Sequence, residues 1–288
     1  MDSKYPCFSI VIPIYNKVEV LPSTLGSVLE QSFPDFEIVA VNDGSTDGSP
    51  DVFSRIVDER IRLFSIQNSG VSAARNYGIR QSKGEWVMVL DADDTLAPGA
   101  LMTMRQAMCR FPDARMIVGN MKRTDGLSEE IYSEHYSPQM IENPFKAWFF
   151  RELMPRAGSF VCKREDMLRH PYKEYLRRSE DVEFLFNLFR EVPVARIPQV
   201  IVVYQRQFST ESRKRPPIHE EFKGHLVLKG KSFWEKVCLY EYYIMAKNEY
   251  PEEARVLYAG ISRSGFLALT YHALFWFRYL KHSIYGFC

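Results

Sequence analysis

The sequence predicts an α/β fold with a mixed, mainly parallel sheet flanked by helices, followed by a helical C-terminal extension. Short apolar runs alternate with segments of helical periodicity, and this alternation indicates crossover connections between parallel strands. Beyond Pro217 the strand-like runs give way to helical patterning. With 46% apolar and 25% charged residues, the 288-residue chain has ample material for a core.

The predicted elements follow from the spacing of apolar residues along the chain. Strands are expected at 8–14, 36–41, 61–66, 86–90, 115–118, 158–162 and 197–204. Helices are expected at 19–31, 71–82, 98–110, 163–169, 222–246, 252–257 and 266–286, and also from Ser49-Pro50 and from Ser179, where a hydroxyl can cap the first turn. Residues 119–154 show no regular pattern, and 213–217 resembles a hinge.

The strand at 86–90 is apolar throughout and ends in Asp91, Asp93 and Asp94. Such a run is typical of a strand buried on both faces, where unpaired charges are costly. A hard divalent cation with phosphate oxygens as co-ligands fits this cluster. The alternative is a polar turn in which Asp94 and Thr95 cap the next helix.

Two other loops end at the same edge of the predicted sheet. Tyr15-Asn16 follows the first strand, and the turn containing Asp43 and Asp47 follows the second. Ligands of parallel sheets bind at the carboxyl ends of the strands, so the three loops are expected to form one crevice. The first loop has no glycine and the chain has no GxxxxGK[ST] stretch, which excludes a Rossmann dinucleotide site and a P-loop.

Composition limits the partners and the compartment. A net charge of +1 favours no nucleic-acid partner. The five scattered cysteines include no CxxC pair, which favours a reducing compartment, most simply the cytoplasm. No signal peptide and no apolar run of about 18 residues is recognisable. Oligomeric state is not indicated.

Four motifs together resemble glycosyltransferase family 2: SIVIPIYN (9–16), VNDGSTDGS (41–49), GVSAARNYGI (70–79) and GEWVMVLDADD (84–94). The resemblance implies the Rossmann-like GT-A fold and a nucleotide-activated sugar as donor. It further implies a GT-A catalytic domain at 1–212, with a nucleotide-sugar-binding half at 1–120 and an acceptor-binding half at 121–212. Residues 213–288 would then form the helical C-terminal region.

The resemblance assigns the nucleotide to residues of the first half. Pro13 and Tyr15, with Asn16 beside them, would line the base pocket, and Asp43 would accept a hydrogen bond from the uracil imide. Arg75 would face the base and the phosphates. The alternative interpretation assigns these residues no functional role. Asp43 and Asp47 would then be ordinary acids of a turn, and Arg75 would be a solvated helix residue.

The resemblance also gives separate roles to the acid cluster. Asp93 would ligate Mn²⁺ or Mg²⁺ bridging the diphosphate. Asp91, the second predicted metal residue, would contact the ribose or the water shell of the metal, and Ala92 contributes by being small. Arg206, after the strand at 197–204, either neutralises phosphate or is ordinary surface, and both interpretations stay open.

The predicted catalytic pair is Glu180 and Asp181. Carboxylates in the first turn of a helix capped by Ser179 are favoured by the helix dipole alone. The resemblance assigns more: Asp181 would be the general base of an inverting transfer, and Glu180 would support it or contact the acceptor.

The stretch 266–286 is rich in aromatic residues, with Arg278, Lys281 and His282 near its end. One interpretation is a helix packed on the catalytic domain. The other is a helix lying on the inner face of the cell membrane, where its basic residues would meet lipid headgroups.

The sequence therefore predicts an inverting, metal-dependent transferase that moves a sugar from a UDP-sugar to a hydroxyl of a glycan or lipid-linked glycan in bacterial cell-surface polysaccharide biosynthesis. A sugar nucleotidyltransferase is the first alternative, but it would need a glycine-rich basic loop where PIYNKVE (13–19) stands. A non-catalytic nucleotide- or glycan-binding module is the second, and it would be expected to have lost the acids. Donor sugar and linkage are not indicated.

Overall fold

The computed structural model describes residues 5–125, 128–131, 136–205, 215–259, 261 and 265–285, with side chains in the last range through Tyr279. Arg206 and the first two residues of the predicted hinge lie outside them, so their expected roles stay predictions.

One sheet contains every strand of the described chain. Its members are β1 (Phe8–Ile14), β2 (Phe36–Asp43), β3 (Ile61–Ile66), β4 (Trp86–Val89), β5 (Thr95–Leu96), β6 (Met116–Thr124), β7 (Glu129–Ile131), β8 (Gln139–Ile141), β9 (Phe160–Lys163) and β10 (Val194–Gln205). The spatial order is β3-β2-β1-β4-β9-β6-β10-β5, with β7 paired to β6 and β8 to β10.

The long strands of this sheet point the same way. β3, β2, β1 and β4 pair in parallel. β9 is antiparallel to both β4 and β6, so β6 and its parallel neighbour β10 share the direction of β4. Ile14 of β1 lies opposite Asn42 of β2, which brings the ends of these strands level. The sheet is mixed and mainly parallel, which confirms the predicted fold class.

Helices cover both faces of the sheet. They are α1 (Leu21–Leu29), α2 (Val71–Gln81), α3 (Ala100–Arg110), α4 (Pro144–Phe149), α5 (Arg164–Arg169), α6 (Glu180–Glu191), α7 (Phe233–Glu249), α8 (Pro251–Leu257) and α9 (Gly265–Tyr285). Alternate residues of β1 enter two different cores: Val11 packs with residues of α2, and Ile10 with residues of α1 and α3. Burial on both faces explains why the strands appear as continuous apolar runs.

The C-terminal helices share a core with the elements before them. Phe149 of α4, Phe186 of α6 and Tyr271 of α9 belong to one buried cluster. A buried ion pair also fastens α9: Arg278 Nη2 lies 3.0 Å from Glu241 Oε1, and its Nη1 donates to the Phe149 carbonyl at 2.7 Å. α9 therefore packs on the domain with one face, as the first interpretation of 266–286 expected.

Several local predictions were wrong, each for a physical reason. The segment from Ser49 is a 3-10 helix at Ser49–Arg55; Gly48 and not Ser49 stands at its cap position, and the serine hydroxyl donates to Asp47. The predicted helix at 222–246 begins only at Phe233, after Gly230 with φ +77° interrupts it. The patternless stretch 119–154 contains the end of β6, the short strands β7 and β8, and α4, whose first turn is capped by Asn143.

Gly78 lets α2 pack directly on the sheet, and this predicts a stability effect. A Cβ added to Gly78 would overlap Val11 Cγ1, whereas one added to Gly26 in α1 would meet nothing within 4 Å. We expect Gly78→Ala to lower the free energy of unfolding by about 1–3 kcal/mol through overpacking. The control Gly26→Ala should raise it by about 0.5–1 kcal/mol because alanine favours the helix. Urea denaturation measures both changes, and equal changes would contradict the packing role.

Candidate active site

The loops after β1 and β2 are joined by hydrogen bonds at the carboxyl edge of the sheet. Asn16 has φ +52°; its N–H donates to Ser45 Oγ at 3.1 Å and its Oδ1 accepts from Thr46 N at 2.8 Å. Asp47 accepts from Val18 N and from Ser49 N, both at 2.9 Å. Asp47 is thus a turn acid, and the two loops form one wall of the crevice.

The predicted base-pocket residues lie at this wall. Asp43 is buried, and its two carboxylate oxygens accept from Ser69 N at 2.7 Å and Gly70 N at 2.9 Å. These bonds hold the residues that precede α2. Pro13 is buried within β1, and Tyr15 is 48% exposed just beyond it. The contacts of these residues with a nucleotide stay predictions.

Arg75 projects from α2 into the centre of the site and is not a solvated helix residue. Its Nη2 donates to Asp91 Oδ1 and its Nη1 to Glu180 Oε1, each at 2.9 Å. The guanidinium carbon lies 5.3 Å from the centre of the Tyr172 ring. Burial by itself lowers the pKa of Arg75, but Asp91, Tyr172 and Glu180 outweigh it and hold the pKa well above its ordinary value. Arg75 therefore stays charged.

The acids after β4 have different partners. Asp91 pairs with Arg75, and Asp93 Oδ2 lies 2.6 Å from Lys17 Nζ. Ala92 is buried, and its carbonyl accepts from Thr24 Oγ1 at 2.9 Å. Lys17 was missed by sequence reasoning, although the cluster required a positive neighbour and Lys17 is the one basic residue in 15–20 and 42–48.

Asp94 does not cap a helix, so that interpretation was wrong. The residues after it, Thr95–Leu96, form β5, and α3 begins at Ala100 after Gly99. Asp94 instead accepts from Gln205 N at 3.2 Å and so holds the end of β10. Burial, with the charges of Asp91 and Asp93, raises the pKa of Asp94 to about 8.

The predicted catalytic pair stands at the start of α6. Ser179 has φ +57° and makes no side-chain cap, so its predicted capping role was wrong. Glu180 bonds Arg75, and Asp181 Oδ2 lies 3.2 Å from Arg156 Nη1. Burial and the negative Asp181 raise the pKa of Glu180 although Arg75 lowers it. The structure thus brings Asp91 and the α6 pair together around Arg75.

The donor set fits a divalent cation only in part. Carboxylate oxygens are hard ligands, and Asp91 and Asp93 supply them. Among the residues that the structure describes, no group of three or more His, Cys, Asp or Glu side chains is arranged to hold a metal ion. Mg²⁺ commonly takes one or two carboxylates and completes its shell with phosphates and water. The residues therefore fit a cation bound together with a diphosphate, not a metal held by protein alone.

Comparisons with known proteins agree with this architecture. The model of "Glycosyl transferase family 2" matches residues 9–176, more than half of the chain. EpsJ of Bacillus subtilis, an uncharacterized glycosyltransferase, is 25% identical over 84% of this chain and 72% of its own. The succinoglycan biosynthesis protein ExoO of Rhizobium meliloti is 34% identical over 46% of this chain and 38% of its own.

A solved structure has the same fold. TarS of S. aureus (residues 1–349, in complex with UDP) superposes with a TM-score of 0.66 at 18% identity, over 84% of this chain and 72% of that one. The fold is GT-A, and the chain belongs to glycosyltransferase family 2. It spans well under half of several curated relatives, for example 33% of an uncharacterized glycosyltransferase of Rickettsia bellii.

The raised pKa of Asp94 predicts a pH dependence of stability. Between about pH 4 and pH 8 the folded chain keeps a proton that the unfolded chain releases, so the free energy of unfolding falls as the pH rises through this window. Asp94→Asn should flatten that slope, measured by urea denaturation with a chelator at pH 5 and pH 8.5. Asp113→Asn, on an exposed loop, should keep the wild-type slope. A slope unchanged in Asp94→Asn would contradict the assignment.

Proposed function

We propose that this chain is an inverting glycosyltransferase that moves a sugar from a UDP-sugar to a hydroxyl of a glycan or lipid-linked glycan. The observation that carries the proposal is the bridge Asp91–Arg75–Glu180. It places an acid predicted to face the donor nucleotide beside the predicted catalytic pair, although Arg75 and Glu180 are 105 residues apart in the chain.

Features of the first half support a UDP-sugar as donor. Asp43 lies fixed and buried at the edge where a base would bind, with lone pairs left beyond its two backbone bonds. TarS, which shares the fold, has been solved with UDP and with UDP-GlcNAc. Asp93 and Asp91 would hold Mn²⁺ or Mg²⁺ with the diphosphate. That cation would stabilise the charge that develops on the departing UDP.

The chemical step needs one base opposite the leaving group. Asp181 would accept the proton of the acceptor hydroxyl as that oxygen bonds the anomeric carbon. The bond from this carbon to the diphosphate oxygen breaks, the electron pair leaves with UDP, and the configuration inverts. Asp181 suits this role because it and its partner Arg156 are both partly exposed, whereas Glu180 is held by the buried Arg75. Glu180 would hold the guanidinium of Arg75 in position through that bond.

The relatives support bacterial polysaccharide biosynthesis as the setting. ExoO is a succinoglycan biosynthesis protein, and TuaG of Bacillus subtilis is a putative teichuronic acid biosynthesis glycosyltransferase, 39% identical over 33% of this chain. We infer a cytoplasmic enzyme that acts on a growing cell-surface glycan.

The proposed base predicts a specific loss. Asp181→Asn should lower kcat by about 10²–10⁴-fold, because general base catalysis contributes that much. Binding of UDP should stay unchanged, since Asp181 contacts Arg156 and not the donor-side acids. UDP release with candidate donors and acceptors measures kcat, and calorimetry measures UDP binding.

The matched control is Glu183→Gln, in the same first turn of α6, where Glu183 bonds Asn187. It should retain wild-type turnover. Equal turnover of Asp181→Asn and the wild type would rule out Asp181 as base. Tight nucleotide binding without turnover of any donor would favour a non-catalytic binding module.

We further propose that α9 rests on the membrane surface with its outer face. Phe266, Leu269 and Trp276 are 79%, 74% and 64% exposed at helical spacing, and α9 contains no Asp or Glu. Aromatic residues without acids suit the headgroup region. Arg278 is buried in its ion pair, so it is not a basic contact for lipid as first expected. Of the helices in the described chain, none could span a bilayer.

Flotation with anionic liposomes tests this contact. The triple variant Phe266→Ser, Leu269→Ser, Trp276→Ser should lose most of the floating fraction, because it removes the exposed apolar row. The control Val57→Ser, Tyr175→Ser, which changes exposed apolar residues elsewhere, should float like the wild type. Equal flotation of the wild type and the triple variant would refute the membrane contact.

A further inference from the structure

Lys17 is a cation already in place at the acid predicted to bind a metal. Its Nζ lies 2.6 Å from Asp93 Oδ2, and both side chains are 16% exposed. A charge-assisted bond at this distance with little solvent around it is a substantial interaction. Lys17 therefore neutralises Asp93 in the structure described here.

The backbone of Lys17 is fixed, so only its side chain can move. Its N–H donates to Ser49 Oγ at 2.8 Å, and its carbonyl accepts from Leu21 N at 2.9 Å. Four flexible methylene groups separate this anchored backbone from the ammonium. An ammonium on such a stem is a compact charge with three donors that can be reoriented toward another oxygen.

The ammonium and a divalent cation repel each other strongly if both bind the carboxylate of Asp93, because the site is largely shielded from water. Arg75 is already bonded to Asp91 and Glu180 through its two terminal nitrogens, so Lys17 is the cation in direct contact with Asp93. A diphosphate brings new negative oxygens to the same edge of the sheet. With cation and diphosphate both bound, a phosphate oxygen would be a better partner for the ammonium than Asp93.

We propose that Lys17 exchanges partners: it neutralises Asp93 while the site is free of donor, and it moves to a phosphate oxygen when a divalent cation and a nucleoside diphosphate bind. The proposal rests on the donor and metal of the proposed function. It makes Lys17 a donor-binding residue, and it makes cation and diphosphate bind cooperatively, because each favours the departure of Lys17 from the carboxylate.

Binding measurements without turnover test the exchange. In Lys17→Met, Mn²⁺ alone should bind about tenfold more tightly, because no ammonium has to be displaced from Asp93. UDP in the presence of a chelator should bind about tenfold more weakly, because the ammonium that offsets the negative charge of Asp93 beside the diphosphate is lost. Uridine, which has no phosphate, should bind equally to both proteins. Electron paramagnetic resonance measures Mn²⁺, and calorimetry measures UDP and uridine.

In two further variants the expected changes in affinity are opposite to those in Lys17→Met. Asp93→Asn should bind UDP in chelator more tightly than the wild type, because the ammonium is no longer held by a carboxylate. Lys17→Arg should weaken Mn²⁺ binding, because a guanidinium can hold both carboxylate oxygens. Thermal unfolding of Lys17→Met, Asp93→Asn and Lys17→Arg checks that each variant is folded before binding is compared.

The outcomes separate this proposal from the proposed function. Unchanged affinities of folded Lys17→Met for Mn²⁺ and for UDP would refute the exchange, even if the enzyme transfers sugar. The predicted shifts in a protein that transfers no sugar would support the exchange and refute the transferase. A Mn²⁺ affinity that falls in Lys17→Met would show that Lys17 supports the cation and would overturn the exchange.

Discussion

The buried guanidinium of Arg75 is the constraint on which the rest of the site depends. Its charge is removed from water and is matched by two carboxylates, Asp91 after β4 and Glu180 at the start of α6. A buried ion pair is strongly destabilised when one partner is removed. α2, the end of β4 and the start of α6 must therefore keep one relative arrangement.

The charges around Arg75 form a graded series of environments. Asp91 and Asp181 remain partly exposed. Glu180 and Asp94 are more deeply buried, and their pKa values are raised. Asp93 forms an ion pair with Lys17. Acids of one type can thus carry different roles, because burial and partners separate their properties. The same cluster that would bind an anionic donor through a cation is held near neutrality beforehand, which keeps the sheet edge stable.

Much of the fold could be predicted from the sequence, because a sheet buried on both faces requires apolar runs. β1 and β3 have the predicted bounds, and α2 differs by one residue. Short exposed strands such as β7 have no such pattern, and the elements within 119–154 were therefore not predicted. The convergence of the loops at one edge of the sheet could be predicted from the direction of the strands. The ion-pair partners of the site residues could not. Lys17 and Asp93 are 76 residues apart, and their contact depends on tertiary packing that periodicity does not encode.

The anchoring of α9 has a consequence for geometry. Arg278 and Tyr271 of α9 are buried, and Arg278 pairs with Glu241 of α7, so this helix cannot leave the domain without exposing a buried charge. A surface that binds the outer aromatic face of α9 would therefore hold the whole molecule in one orientation. The height and tilt of the crevice above that surface would then be constant, and a substrate presented from the surface would approach from one direction only.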